Sequence, residues 1–394
     1  MIINTAMSTA EDAAQAVAEL GEALGLDHAG MPDFVALHFS LGWSPADVHA
    51  AAIKSLGGAA LHGGSSCRGV MTHHGIAMQD GRGMGAFAIW DKDGAYGTAM
   101  ADLTDDPRAA AHDATEAALA RADRQGEAPD LVWLTTAPGT EEQVLAGIKD
   151  ILGEEVMIVG GSSADNDVSG KWAQFSHEAI GTNAVVVSVL FPSRPVSCAY
   201  QSGYAPTKTS GTVTRVDGRR LGEIDGQPAA AVYADWTKQA VPAATTEDMS
   251  ILAASTFFPL GRISGTLADV PFHLLVHPAT SHPDGAISLF ADIHLGETLW
   301  LMNGSADSLV ARAARTAESS RDALVAPEVR GALVIYCGGC MLAVQDRMDE
   351  VAQGVASALG GAPFLGVFTF GEQGAPLGAE TRHGNLMISC SSFG

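Results

Sequence analysis

Short, unalternating apolar runs recur along this chain, and polar-apolar stretches of helical spacing separate them. "PDFVALHFSLGWSPADVHAAAIKSLGGAALHGGSS", from Pro32 to Ser66, reads as strand, loop, helix and strand. "PDLVWLTTAPGTEEQVLAGIKDILGEEVMIVGGSS", from Pro129 to Ser163, repeats that order with Pro-Asp and Gly-Gly-Ser-Ser at the same separation. Apolar runs of this kind suit strands covered on both faces, so each copy predicts a βαβ unit. A looser third copy is "GALVIYCGGCMLAVQDRMDEVAQGVASALGGAPFLGVFTFGEQ", which starts at Gly331. Its alignment puts Cys337 at the end of a first strand and Gly366 near the level of Gly64 and Gly161. Ligands of open α/β sheets sit at the carboxyl ends of strands, which makes these loops the expected site.

Between the copies lie segments of β character. "MGAFAIW" and "GAYGTAMADL" predict a hairpin around Asp93-Gly94. "NAVVVSVLF" and "VSCAYQSGY" predict a second pair, and "PFHLLVHP" and "GAISLFADI" flank the turn "SHPDG". Helices are expected near 10–24, 107–122 and 304–320. The fold class is therefore α/β, with repeated βαβ units and added antiparallel strands. The expected organisation is an N-terminal helix over 1–28, one domain over 29–222 and a second over 223–394.

Composition narrows the function. The chain has 394 residues, 47% hydrophobic and 17% charged, which supports a substantial core. A net charge of −23 repels phosphate backbones and anionic membranes, and no Lys/Arg cluster offers an exception. Neither nucleic acid nor a membrane is an expected partner. No signal peptide is expected, and five cysteines then point to reduced thiols in a cytoplasmic protein.

Cys337 and Cys340 in "YCGGCM" are the first candidate chemistry. At a strand-to-helix turn, Cys340 is expected near a helix N-terminus, which favours thiolate. Two thiolates at this spacing make half a metal site, and Met341 excludes the covalent c-type haem motif. Repeat symmetry brings Cys67, at a strand end, to the same region. With His277 at the end of "PFHLLVH", a Cys67/Cys337/Cys340/His277 set predicts tetrahedral metal ligation. His73 and His74 point apart if extended, so at most one serves a shared site. The Gly-Gly-Ser-Ser loops, with Gly64, Gly161 and Ser162, offer backbone N–H groups and hydroxyls. Glu372 follows an apolar strand and is a candidate ligand contact or general base. The loops after Gly64, Gly161, Cys337 and Gly371 are expected to converge on a pocket between the domains.

The segments "GGSSADN" at 160–166, "LGEIDGQPAAAVY" at 221–233, Cys337 with Gly339, "PFLGVFTFGEQ" at 363–373 and the terminal "HGNLMISCSS" together resemble the FIST proteins. The resemblance spans about residues 30 to 392. It implies a FIST N-terminal and a FIST C-terminal domain and a cytoplasmic sensory module that binds a small ligand. The resemblance also implies that, as in some family members, the module binds haem and senses nitric oxide, acting on a histidine kinase or a cyclic-di-GMP enzyme. Cofactor-binding residues are then expected among His277, Cys337, Gly64, Gly161, Ser162 and Glu372, with haem or a thiolate-bound transition metal as cofactor. The chain departs from the family pattern at Cys340 and His277, where Arg is usual, and at Cys67 and Val70. Thiol and imidazole suit a soft metal or thiol chemistry better than an anionic ligand. A metal- or thiol-dependent enzyme using the Cys-Gly-Gly-Cys turn is the alternative.

Overall fold

The computed structural model describes residues 1–267, 269–326, 328–376 and 380–394. The repeated sequences form what their pattern predicts. In the first unit, strands Phe34–Phe39 and Ala60–Ser65 pair in parallel across helix Pro45–Leu56. In the second, Leu131–Thr136 and Ile158–Ser162 pair across helix Glu141–Leu152. In the third, Gly331–Cys337 and Phe364–Thr369 pair across Gly338–Ala343 and Met348–Ala358.

Each parallel pair is the centre of a six-stranded sheet. Antiparallel strands flank the first strand of each pair: Met84–Trp90 and Ile2–Ser8 in the first sheet, Ala184–Phe191 and Ala95–Asp102 in the second, and Met387–Phe393 and Val196–Ser202 in the third. The other flank is a short hairpin, and it comes from a different unit each time. The hairpin that follows the first unit, Val70–Thr72 with Gly75–Ala77, pairs with Phe364–Thr369 of the third. The one that follows the second, Gln174–Ser176 with Ile180–Gly181, pairs with Ala60–Ser65 of the first. The one that follows the third, Glu372–Gly374 with Arg382–Gly384, pairs with Ile158–Ser162 of the second. The exchange closes into a ring, and two of the sheets draw strands from both sides of residue 222.

This topology corrects two expectations. Met84–Trp90 and Ala95–Asp102 do not form a hairpin, because they join different sheets after the turn in which Gly94 N donates to Asp91 O at 2.9 Å. Ala184–Phe191 and Val196–Ser202 part in the same way. Met84–Trp90 and Ala184–Phe191 are buried along nearly their whole length, and each finds cover in a sheet that its neighbour in sequence does not share. "SHPDG" does turn Pro278–Ser281 back onto Ile287–Leu289. Those two strands belong to a fourth, nine-stranded sheet formed largely by residues 205–303.

The three six-stranded sheets turn one face toward a common core that includes Phe34 and Ala36, Leu131 and Trp133, and Leu333 and Ile335. Alternation along the strands then places His38, Thr135 and Cys337 at equivalent inward positions. Their parallel partners are Gly64, Gly161 and Thr369. Thr369, not Gly366, thus stands at the level of the two glycines. A Cβ on Gly64 would lie 2.5 Å from Thr135 Cγ2, and one on Gly161 would lie 2.3 Å from Thr369 Cγ2. The glycines are where one unit's second strand meets the next unit's threonine. Gly161→Ala is expected to cost about 1–3 kcal/mol in urea unfolding, as overpacking does. Adding Thr369→Ser, which removes Cγ2, should recover part of the loss. An unchanged unfolding midpoint in Gly161→Ala would contradict this contact.

Candidate functional site

The strand ends converge through three backbone hydrogen bonds. Ala164 N donates to Ser65 O, Phe370 N to Ser162 O, and Cys67 N to Phe368 O. Each joins one unit to the next. Beside this junction lies a cavity of about 330 Å³. Its walls come from the loop after the second unit (Val168), the third unit (Cys337, Gly339, Leu342, Ala343, Phe370) and the inserted sheet region (Leu252, Phe257, His277, Phe290). Ser250, Thr256 and Asn385 add polar atoms. Buried Asp165 holds the Val168 loop by accepting from the backbone N–H groups of Asp167, Val168, Gly170 and Lys171. Asn166 Oδ1 accepts from Arg68 N at 2.8 Å, which pins the loop to the first unit.

Cys337 and His277 meet here. A Cβ on Gly339 would stand 3.5 Å from His277 Cε1 and 3.6 Å from Cys337 Sγ. His277 Nε2 lies 3.1 Å from Leu252 O, and its backbone N donates to Asn385 Oδ1 at 3.1 Å. Burial lowers its pKa to about 4, so the ring is neutral. Burial first, and the neighbouring Cys340 thiol second, push the Cys337 thiol well above the usual range. The backbone N–H groups of Cys340 and Gly339 pull the other way without reversing this. The helix-end expectation is therefore corrected: the sulfur that meets the N–H groups is that of Cys337, and it stays a thiol.

Cys340 does not face the cavity. It is buried behind the wall, with Sγ 3.6 Å from Tyr204 Oη. Cys67 is also buried, with its Cβ 3.4 Å from where a Cβ on Gly338 would stand. Among the described residues, the four expected metal ligands are not among the groups whose donor atoms all lie within 4.8 Å of one another. One such group is Glu141, Glu142 and His383, but its lone pairs are taken. Arg219 Nη2 donates to Glu141 at 2.7 Å and to Glu142 at 2.6 Å. His383 engages Gln373 Nε2 and Phe290 O.

Ser162 is committed to the framework: its hydroxyl donates to Glu141 Oε1 at 2.7 Å and its backbone to Gly371 O. Gly64 and Gly161 are packing glycines, as above. Glu372 is buried beside Cys337 and accepts from Thr369 Oγ1 at 3.0 Å and Met387 N at 2.9 Å. Burial, then the Cys337 thiol, push its carboxyl well above the usual range and hold it neutral. His73 and His74 do not point apart. They are the loop of the Val70–Ala77 hairpin, and their rings lie side by side with centroids 3.8 Å apart and planes tilted by 39°. Leu252, Phe257, Phe290 and Asn385 escaped sequence reasoning; Phe290, inside "GAISLFADI", and Asn385, inside "HGNLMISCSS", lay in segments already singled out.

Haem does not suit this lining. It brings two carboxylates, and among the described residues no Lys or Arg lines the cavity. The volume is at the low end for small-molecule sites. A larger cavity of about 470 Å³, lined by Lys149, Arg262 and Arg382, is polar, and these cations already pair with Glu154 and Glu380, Glu297, and Glu380.

Comparison with known proteins places the chain. Residues 33–227 match the FIST N domain and residues 229–375 the FIST C domain. The chain belongs to the FIST family, whose domains are signalling sensor domains. It is 30% identical over 96 residues to an uncharacterized protein of Methanocaldococcus jannaschii, a match over 24% of this chain and 18% of that one. Among solved structures it is similar to a cyanuric acid hydrolase from A. caulinodans, at 10% identity and TM-score 0.34, covering 100% of this chain and 99% of that one. A second cyanuric acid hydrolase structure gives 10% identity and TM-score 0.35, with 100% of both chains covered. Among the described residues, no helix is long and apolar enough to cross a membrane.

The buried imidazoles set an acid limit. His38, like His277, is held at about 4 by burial, against 6.5 for an ordinary histidine. A depressed pKa means that the unfolded chain takes up protons first. The stabilisation is complete above pH 6.5 and is lost as pH falls toward 4. His277→Gln should therefore lose about 2 kcal/mol less than the parent between pH 7 and pH 5 in urea unfolding. Protonation of the acidic surface acts on both proteins alike and cancels. Equal pH slopes would contradict a buried neutral His277.

Proposed function

We propose that this protein is a cytoplasmic sensor that binds a small organic ligand in the cavity bounded by Cys337, His277 and Asn385, and passes the signal to a separate partner such as a histidine kinase or a cyclic-di-GMP enzyme. The observation that carries the reading is the composition of the cavity wall. It takes residues from the second and third repeats and from the inserted sheet region, and the lid loop is tied to the first. A molecule filling it touches all of these elements at once, so occupancy can shift their relative populations. Five free cysteines among the described residues agree with a reducing compartment. A thiol kept protonated by burial agrees with binding rather than nucleophilic turnover.

Native mass spectrometry of protein purified under reducing, anaerobic conditions tests this. The parent is expected to carry a small organic mass, released unchanged on denaturation. Ala343→Phe, which fills the cavity, should fold and lack it. A Soret band, or stoichiometric metal lost in Cys337→Ser, would overturn the organic-ligand reading in favour of haem or a thiolate metal. Retention of the same molecule by Ala343→Phe would move the site elsewhere.

A further inference from the structure

Among the described residues, two polar groups on residues that line the cavity lack partners, and their chemistry is fixed by what holds them. Asn385 is 2% exposed, and its Oδ1 accepts from the backbone N–H of His277. A backbone N–H can only donate, so the carboxamide orientation is settled and Nδ2 is the other arm. Asn385 Nδ2 is buried with no hydrogen-bond partner among the described residues. On His277, Leu252 O can only accept, so Nε2 carries the proton. Nδ1 is then a bare lone pair, with no hydrogen bond among the described residues. The two groups are adjacent, since the asparagine bonds the histidine backbone directly. Around them Phe257, Phe290, Leu342 and Phe370 supply apolar surface, and among the described residues no Asp, Glu, Lys or Arg lines the cavity.

Buried polar groups in folded proteins are almost always satisfied, so an unpartnered amide donor on a cavity wall marks the place of a missing acceptor. An anion buried there would find no cation, and a cation no anion. We infer that the cavity takes an uncharged, largely apolar molecule whose polar edge offers an acceptor to Asn385 Nδ2 and a donor to His277 Nδ1, as the C=O and N–H of a lactam or other cis amide do. This rests on the sensor reading and adds the chemical class of the ligand. It also explains why imidazole and amide, with no guanidinium, stand at this wall: they read a neutral donor-acceptor edge, where Arg would read a carboxylate.

Oxindole is a suitable probe, being a neutral cis amide fused to an apolar ring. N-methyloxindole lacks its donor, and phenylacetate replaces the amide by an anion. Binding is read by calorimetry and by protection of Cys337 from methyl methanethiosulfonate, followed by peptide mass mapping. Oxindole is expected to bind and protect, with N-methyloxindole at least about tenfold weaker and phenylacetate inactive. Asn385→Asp keeps the acceptor for His277 N, removes the donor and adds charge, and should abolish oxindole binding. His277→Gln keeps a donor for Leu252 O, removes the imidazole lone pair, and serves if Asn385→Asp fails to fold; it should weaken oxindole at least about tenfold. Equal affinity for oxindole and N-methyloxindole, or tighter binding of phenylacetate, would overturn the ligand class while leaving the cavity as the site. If none of the three protects Cys337, and Cys337 reacts as fast in Ala343→Phe as in the parent, the cavity reading itself fails.

Discussion

The structure depends on a ring of exchanged hairpins. Each βαβ unit completes its sheet with a hairpin from another unit, and none has its full sheet alone. A parallel pair has two open edges, and an uncovered edge is an invitation to wrong pairing. Here one edge takes antiparallel strands and the other takes the borrowed hairpin. The exchange pulls the three strand ends together, which produces both the junction of backbone hydrogen bonds and the close glycine-threonine contacts. The candidate cavity lies at the side of that junction where the inserted sheet region adds its wall.

The equivalence of the units explains how one of them acquired chemistry. His38, Thr135 and Cys337 occupy corresponding inward positions. Thr135 is packed against Gly64 and hydrogen-bonded to His62. His38 is sealed in the core, where burial holds its ring neutral. Cys337 alone of the three lines the cavity, because Leu252, His277 and Phe290 of the inserted region face it across open space. The site is thus a local addition to a repeated frame, and its apolar, uncharged wall keeps thiol, imidazole and the nearby Glu372 carboxyl in their neutral forms.

Much of the frame was legible in the sequence. Pro-Asp and Gly-Gly-Ser-Ser at equal spacing gave two units, and the third followed from the apolar strand before Cys337. That reasoning put Cys337 at a strand end and brought the glycine loops together, as the structure does. The hairpin exchange was not legible. It pairs Val70 with Val367 and Glu372 with Gly161, over separations for which local pattern carries no signal. The same limit broke the two expected hairpins, whose strands are consecutive in sequence yet belong to different sheets. Within the site, residue type misled in both directions. Cys340 and Ser162 looked chemical and are held by the framework, while Asn385 looked ordinary. Its place is set by a hydrogen bond to His277 across 108 residues, and its amide nitrogen is buried with no partner among the described residues.

The most direct measurement is a crystal structure of the protein purified from its own cells, without added ligand, solved to a resolution that orients amide groups. The account predicts density for a single uncharged organic molecule against Phe257, Phe290 and Phe370, with an acceptor at Asn385 Nδ2 and a donor at His277 Nδ1. Iron coordinated by His277, a metal bridging Cys337 and Cys340, or a carboxylate in the cavity would contradict it.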